Sequence, residues 1–140
     1  MRYTSFNERK SGSRMIKKDY FILFFVILAV VLIFAGLDYL IHGLSSEYAV
    51  PSRYFTNKII FGTVIGYAAG LLFRNKKLFT RSLLVSLSIS VLLQVRYFIE
   101  GYPKDFVFLF LGIHFILLLP ISFVIFKLSE KWLKRGKSKK

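Results

Sequence analysis

The segment Phe61-Gly-Thr-Val-Ile-Gly-Tyr-Ala-Ala-Gly70 places a glycine at every fourth position of an apolar stretch. At that spacing Gly62, Gly66 and Gly70 lie on one face of a helix. In water each interior glycine would destabilise a helix by about 1 kcal/mol relative to alanine, whereas in a bilayer a row of small residues lets another helix pack closely. We therefore interpret this glycine stripe as a helix-packing surface in a small membrane protein with several spans.

The composition also indicates a membrane protein. Of the 140 residues, 55% are hydrophobic and 18% aromatic, and the mean hydropathy is +0.56, which is too apolar for an ordinary soluble domain of this length. The sequence contains no cysteine, which excludes disulfides, thiolate metal sites and thiol catalysis.

The formal net charge of +14 is concentrated at the two ends of the chain. Residues 1–18 contain six Lys and Arg, and residues 127–140 contain seven. Basic ends that flank apolar spans are attracted to anionic lipid headgroups. No basic recognition helix or aromatic RNA-binding motif accompanies the charge, so we expect the bilayer, and no nucleic acid, as the partner of these ends.

Hydropathy divides the chain into a flexible basic leader (1–18), a transmembrane domain (19–128) and a basic tail (129–140). The domain contains four predicted spans, at about residues 19–43, 58–74, 78–101 and 105–128. The first span is longer than the apolar core of a signal peptide, so we expect it to remain uncleaved.

The second predicted span is the shortest. Its charge-free part covers about 22 Å at 1.5 Å per residue, less than the hydrocarbon thickness of a bilayer. We therefore expect Lys58 and Arg74 to extend toward the two membrane surfaces, or the bilayer to be thinner there. The shortfall favours a helix that is sheltered by protein rather than lipid.

The distribution of cations predicts the orientation. Lys and Arg concentrate in the leader, in the turn at residues 74–81 and in the tail, and are few in the other two connections. By the positive-inside rule, both termini are cytoplasmic. The sequence thus predicts an all-α membrane protein, with four transmembrane helices in an up-down-up-down bundle, and we expect it in the cell membrane.

A second row of small residues follows on the third predicted span, at Ser82, Ser86 and Ser90. Because the turn between the second and third spans is short, these spans should be antiparallel neighbours. We expect this serine stripe to face the glycine stripe. Serines that donate to their own i−4 carbonyl, or that line a polar path, are the alternatives.

Polar side chains from three predicted spans fall at similar depths in one leaflet. Taking each span's midpoint as the bilayer centre, Asp38 and Arg96 each lie about 10 Å outward. Charged residues at this depth should face protein or water, which suggests an ion pair between them. The candidate polar cluster comprises Asp38, His42, Gln94, Arg96 and His114. A structural clasp, a functional site and simple extension to the interface remain the three interpretations.

The same residues offer little for metal or catalytic chemistry. Asp38 and His42 are four apart, as two metal ligands on a helix are, but His114 lies about 13 Å deeper than His42. The serines have no neighbouring His-Asp arrangement, and no phosphate-binding loop or paired-carboxylate site is present in the sequence. We expect no metal, no cofactor and no enzymatic activity.

Two functional hypotheses remain. The first is an accessory or assembly subunit, or a homo-oligomer, that acts through helix-helix interaction with the glycine stripe and the basic ends as contacts. The second is a carrier or flippase-like component for a polar or lipid-linked solute, with the candidate polar cluster lining its cavity. In length, four-span topology and the turn Phe73-Arg-Asn-Lys-Lys-Leu-Phe79, the chain resembles GtrA-type membrane proteins, and this resemblance implies the movement of lipid-linked sugars.

Overall fold

The computed structural model describes residues 17–137, with side chains described as far as residue 133. Within this range the chain is helical throughout, apart from its short connections. Four α-helices are joined by short connections, and the first connection contains one turn of 3₁₀-helix at Ser46–Tyr48. The helices are α1 (Lys17–His42), α2 (Ser52–Leu72), α3 (Leu78–Ile99) and α4 (Lys104–Lys137).

All four helices are long and apolar enough to cross a membrane. Even the shortest, α2, has 21 residues, which corresponds to about 31 Å at 1.5 Å per residue. Helix α4 continues beyond the predicted end of the transmembrane domain at residue 128, as far as Lys137. The predicted leader lies outside the described residues except for Lys17 and Lys18, which begin α1.

Helix α2 begins at Ser52, six residues before the predicted start of the second span. Pro51 precedes it in an extended conformation, where its missing N–H removes no helical hydrogen bond. The polar residues that follow indicated a loop, but Tyr54 and Lys58 both turn into the interior of the protein. The expectation that Lys58 extends to the membrane surface is therefore wrong.

The end of α3 is fixed by a glycine. Gly101 has a φ of +88°, in the left-handed region that glycine adopts without strain. This conformation lets the Tyr102 N–H donate to the carbonyl of Tyr97 at 3.1 Å, as in a Schellman motif. The chain then turns sharply, and α4 begins at Lys104 directly after Pro103.

The helices form a ring in which α1 contacts α2, α2 contacts α3, α3 contacts α4 and α4 contacts α1. The interior is filled by large aliphatic and aromatic side chains with little or no exposed surface. They include Ile27, Val30, Val31, Phe34, Val85, Ile89, Leu93, Leu118 and Phe126.

The glycine stripe packs against α1 and one residue of α3. A Cβ added at Gly66 would lie 2.9 Å from side-chain atoms of both Ile27 and Ile89. Added at Gly62 it would lie 3.2 Å from Val31, and added at Gly70 it would lie 3.2 Å from Leu23. The bulky α1 residues also recur every four positions, so that their ridge fills the groove left by the glycines.

The serine stripe is buried but does not face the glycines. Ser82 donates to the carbonyl of Leu78 at 2.9 Å, and Ser86 donates to Ser122 of α4 at 3.0 Å. Ser90 is fully buried, and its hydroxyl has no hydrogen-bond partner among the described residues. The predicted contact between the two stripes is thus wrong, because the branched side chain of Ile89 occupies the space beside Gly62 and Gly66 on the α3 side.

This packing predicts that Gly66→Leu destabilises the protein by about 1–3 kcal/mol, because the new side chain overfills the space between Ile27 and Ile89. Gly36→Leu is the matched control, since nothing lies within 4 Å of a Cβ added at Gly36. Thermal unfolding in detergent measures both variants. Equal unfolding temperatures for the two would contradict the observed packing.

Candidate functional site

A charged pair lies between α1 and α2 in the interior. The Lys58 Nζ donates a hydrogen bond to Asp38 Oδ2, and both side chains have no exposed surface. His114 of α4 touches both partners, with its Nε2 3.0 Å from Asp38 Oδ1 and 3.1 Å from Lys58 Nζ. Three helices thus supply a carboxylate, an ammonium group and an imidazole to one enclosed site.

Helix α3 contributes an amide to the same site. Gln94 Nε2 lies 2.7 Å from His114 Nδ1. If this amide donates to Nδ1, the imidazole carries its proton on Nε2 and donates it to Asp38. If the amide is rotated, Nδ1–H donates to the Gln94 carbonyl, and Nε2 accepts from Lys58. We call Asp38, Lys58, Gln94 and His114 the polar network, to which each helix contributes one residue.

Aromatic rings surround the ammonium group of Lys58. Its Nζ donates to the Tyr54 hydroxyl at 3.1 Å and lies 4.1 Å from the centre of the Tyr54 ring. The rings of Phe34 and Phe55 lie 5.2 and 5.8 Å away. Ring faces attract cations, most strongly where water is excluded, so this environment favours an ammonium group beside Asp38.

His42 lies at the edge of the polar network. Its Nδ1 is 2.5 Å from the carbonyl oxygen of Tyr48, so that Nδ1 carries the proton and Nε2 is left as an acceptor. That Nε2 lies 3.5 Å from Asp38 Oδ2 and has no hydrogen-bond partner among the described residues. The imidazole ring stacks on Phe110 at 4.4 Å with an angle of 3°.

A layer of aromatic side chains extends from the polar network to the α3–α4 connection. Tyr54 stacks on Tyr97 at 4.6 Å, Tyr102 stacks on Phe106 at 5.6 Å, and Phe106 contacts Phe110 at 4.4 Å. These five residues form the aromatic layer. In the connection itself, burial raises the pKa of the Tyr102 hydroxyl, and the nearby Glu100 carboxylate raises it further.

Of the candidate polar cluster, the structure brings together Asp38, His42, Gln94 and His114, whereas Arg96 lies elsewhere. Arg96 pairs at 2.5 Å with Glu100, the residue that directly follows α3, and its guanidinium lies 4.0 Å from the centre of the Phe61 ring. The predicted pair between Asp38 and Arg96 is wrong. Residues two apart on a helix point in nearly opposite directions, so Arg96 cannot share the inward face of Gln94.

Lys58 is the central residue that sequence reasoning missed. Its polarity and its distance from the apolar core of the second span indicated a membrane-surface position. A signal was present, however, because Lys58 lies four residues before Gly62 and Tyr54 four before that. The three therefore lie on one face of α2, which is the face that carries the glycine stripe.

The site has few conventional metal ligands. Among the residues that the structure describes, no group of three or more His, Cys, Asp and Glu side chains is arranged to hold a metal ion. The hydrogen bonds of Asp38 and Lys58 described above are all made to other residues of the same chain.

The fold and the polar network define a class of protein in structural terms: a four-helix protein with spans long enough for a membrane and a charged network in its interior. Comparisons with the models of protein families, with curated proteins and with solved structures found no match to this chain.

The buried pair predicts that Lys58→Met destabilises the protein by about 3–5 kcal/mol, because it leaves the Asp38 carboxylate buried without its cation. Combining Lys58→Met with Asp38→Asn should restore much of the loss, since the remaining amide carries no charge. Thermal unfolding in detergent measures each variant.

Arg96→Gln is the control for that experiment. The pair between Arg96 and Glu100 is partly exposed, so its loss should cost no more than about 1 kcal/mol. A larger loss for Arg96→Gln than for Lys58→Met would refute the observed pairing.

Proposed function

We propose that this protein is a small membrane carrier for a polar solute, and that the polar network is its working element. In this proposal the helices form an up-down-up-down bundle in the cell membrane, with both termini cytoplasmic, where the basic ends meet anionic headgroups. The role is not enzymatic and requires no metal or cofactor. The observation that carries the proposal is the meeting of one polar side chain from each helix in a fully enclosed site.

The energetic cost of the polar network supports a role beyond stability. A buried ion pair contributes little net stability, because the removal of two charges from water offsets their attraction. Apolar residues of similar volume would hold the four helices together equally well or better. Ionisable residues inside membrane segments are costly, and they commonly mark the paths of ions, protons or polar solutes.

The network has the chemical groups that a carrier of this kind needs. Asp38 supplies a carboxylate for a cation or a hydroxyl-bearing solute, and Lys58 neutralises that carboxylate in the closed state. The unpartnered Nε2 of His42 faces the same carboxylate and can take up a proton there. A solute that displaces Lys58 from Asp38 would therefore take the place of the protein's own ammonium group at that carboxylate.

The closed structure requires movement for transport. The aromatic layer covers the polar network on one side, and apolar residues such as Val30 and Ile89 fill the interior on the other. A carrier must open to each side in turn, whereas a structural clasp stays closed. This difference separates the two roles before any solute is known.

Cysteine labelling measures the opening directly, because the sequence contains no native cysteine. Ser90→Cys introduces a buried thiol on α3 about 6 Å from Gln94 along the helix. A charged thiol reagent that does not cross membranes is applied to oriented vesicles. Each of the two vesicle orientations exposes one side of the protein to the reagent, and the two are tested separately. We expect Ser90→Cys to react in both.

Two controls calibrate the labelling. Ser46→Cys is exposed in the α1–α2 connection and should react rapidly from its own side, whereas the unaltered protein has no cysteine and should not react. If Ser90→Cys reacts no faster than the unaltered protein, or from one side alone, the carrier proposal fails.

A second candidate is an accessory subunit or a homo-oligomer that acts through helix-helix interaction. The glycine stripe is filled by α1 within the chain, so it offers no contact to a partner. Two other glycines, Gly36 and Gly112, are exposed on the outer surfaces of α1 and α4, and nothing lies within 4 Å of a Cβ added at either. Another helix could approach closely at these positions.

This candidate predicts that the protein purified in mild detergent has the mass of a dimer or a larger complex, and that Gly36→Leu or Gly112→Leu reduces the mass to that of one chain. Light scattering coupled to size-exclusion chromatography measures it. A single-chain mass for the unaltered protein, with no co-purifying protein, would exclude the candidate.

A further inference from the structure

A cavity of about 160 Å³ lies at the opposite end of the protein from the polar network. It is formed by the beginning of α1, the residues that follow α2, the beginning of α3 and the later part of α4. Asp19 and Asp38 are separated by about 28 Å along α1, so the cavity is distinct from the polar network. Its walls combine apolar side chains with five polar ones, which are Asp19, Arg74, Arg81, Ser129 and Glu130.

The cavity wall carries charges of both signs. Arg74 comes from the α2–α3 connection, Arg81 from the first turn of α3 and Glu130 from α4. A purely anionic ligand would meet the Glu130 carboxylate here, and a purely cationic ligand would meet two guanidinium groups. The charge pattern therefore fits a ligand that carries one group of each sign.

Arg81 retains capacity to bind a ligand. Its Nη1 is 3.8 Å from Glu130 Oε1, which is too long for a hydrogen bond, and its guanidinium lies 4.2 Å from the centre of the Phe126 ring. Its Nε is buried and has no hydrogen-bond partner among the described residues. Phosphate is the oxygen-rich anion that guanidinium groups bind in paired hydrogen bonds.

The position of the cavity indicates the source of such a ligand. Its charged residues lie where the apolar spans begin or end, at the level that lipid headgroups occupy. The apolar part of the wall includes Leu23 and Leu133, which suit the hydrocarbon next to a headgroup. A membrane lipid would meet a site at this level by lateral diffusion.

We propose that this cavity binds the zwitterionic headgroup of an aminophospholipid, with its phosphate on Arg74 and Arg81 and its ammonium group on Glu130. A primary ammonium group donates three hydrogen bonds to carboxylates, whereas the trimethylated ammonium of a choline headgroup donates none. A glycerol headgroup has no cation. The cavity should therefore prefer phosphatidylethanolamine to both of these lipids.

Native mass spectrometry of the full-length protein tests the preference, with phosphatidylethanolamine, phosphatidylcholine and phosphatidylglycerol of identical acyl chains added in turn. We expect phosphatidylethanolamine to bind about tenfold more tightly than the other two, as one or two charge-assisted hydrogen bonds would produce. Equal binding of the three lipids would overturn the proposal.

Charge-removing variants locate the binding. Arg81→Gln should weaken phosphatidylethanolamine binding about tenfold, and Glu130→Gln should abolish the preference over phosphatidylglycerol. Lys76→Gln and Glu47→Gln are the controls, since each removes one charge away from the cavity wall and should leave binding unchanged. If all four variants bind alike, the proposal is wrong.

Two measurements keep the outcome interpretable. Arg74 is exposed at the cavity, so Arg74→Gln replaces Arg81→Gln if the latter does not fold, and it should weaken binding in the same direction. Free phosphoethanolamine distinguishes the source of the headgroup chemistry. If it raises the unfolding temperature as much as the lipid does, a soluble aminophosphate is the ligand and the lipid assignment is overturned.

Discussion

The ion pair between Lys58 and Asp38 is the constraint on which the rest of the structure depends. A lysine inside a membrane span costs about 3 kcal/mol on insertion scales, so α2 must bring it to an opposite charge. On α2 the glycine stripe continues the row of Lys58, and on α1 Val31 and Ile27 precede Asp38 on the same side. One register therefore pairs the charges and also seats the bulky α1 side chains on the glycines.

His114 and Gln94 extend this constraint to the other two helices. Helices that touch through apolar side chains alone can shift slightly against each other at little cost. The hydrogen bond of 2.7 Å between Gln94 and His114 instead fixes the distance and the direction between two side chains. The link from Gln94 through His114 to Asp38 closes the ring from α3 to α1. Polar groups at one level thus determine which helices are neighbours, and the apolar interior then fills the space between them.

Much of the fold was predictable, because hydropathy and polar connections report directly on the number and approximate limits of long helices. The start of α2 was not, since the polar residues after Pro51 are typical of a loop unless their inward partners are known. The same limitation applies to Arg96, whose depth matched that of Asp38 although its direction on α3 did not. The depth of a side chain in the membrane follows from its position in the sequence. The residue that it pairs with depends on the order of the helices around the ring, which the sequence pattern does not directly show.

The two ends of the protein differ in how their polar groups are satisfied. In the polar network Asp38 and Lys58 already bind each other, so a solute that bound Asp38 would have to displace an internal partner such as Lys58. In the cavity at the other end, Arg81 keeps a buried donor without a partner, and its distance to Glu130 leaves room for a ligand. A headgroup bound there would link the α2–α3 connection to α3 and α4 and hold that end together. Separation of the helices would then be easier at the end that carries the aromatic layer, because no bound headgroup adds to the contacts within the chain there.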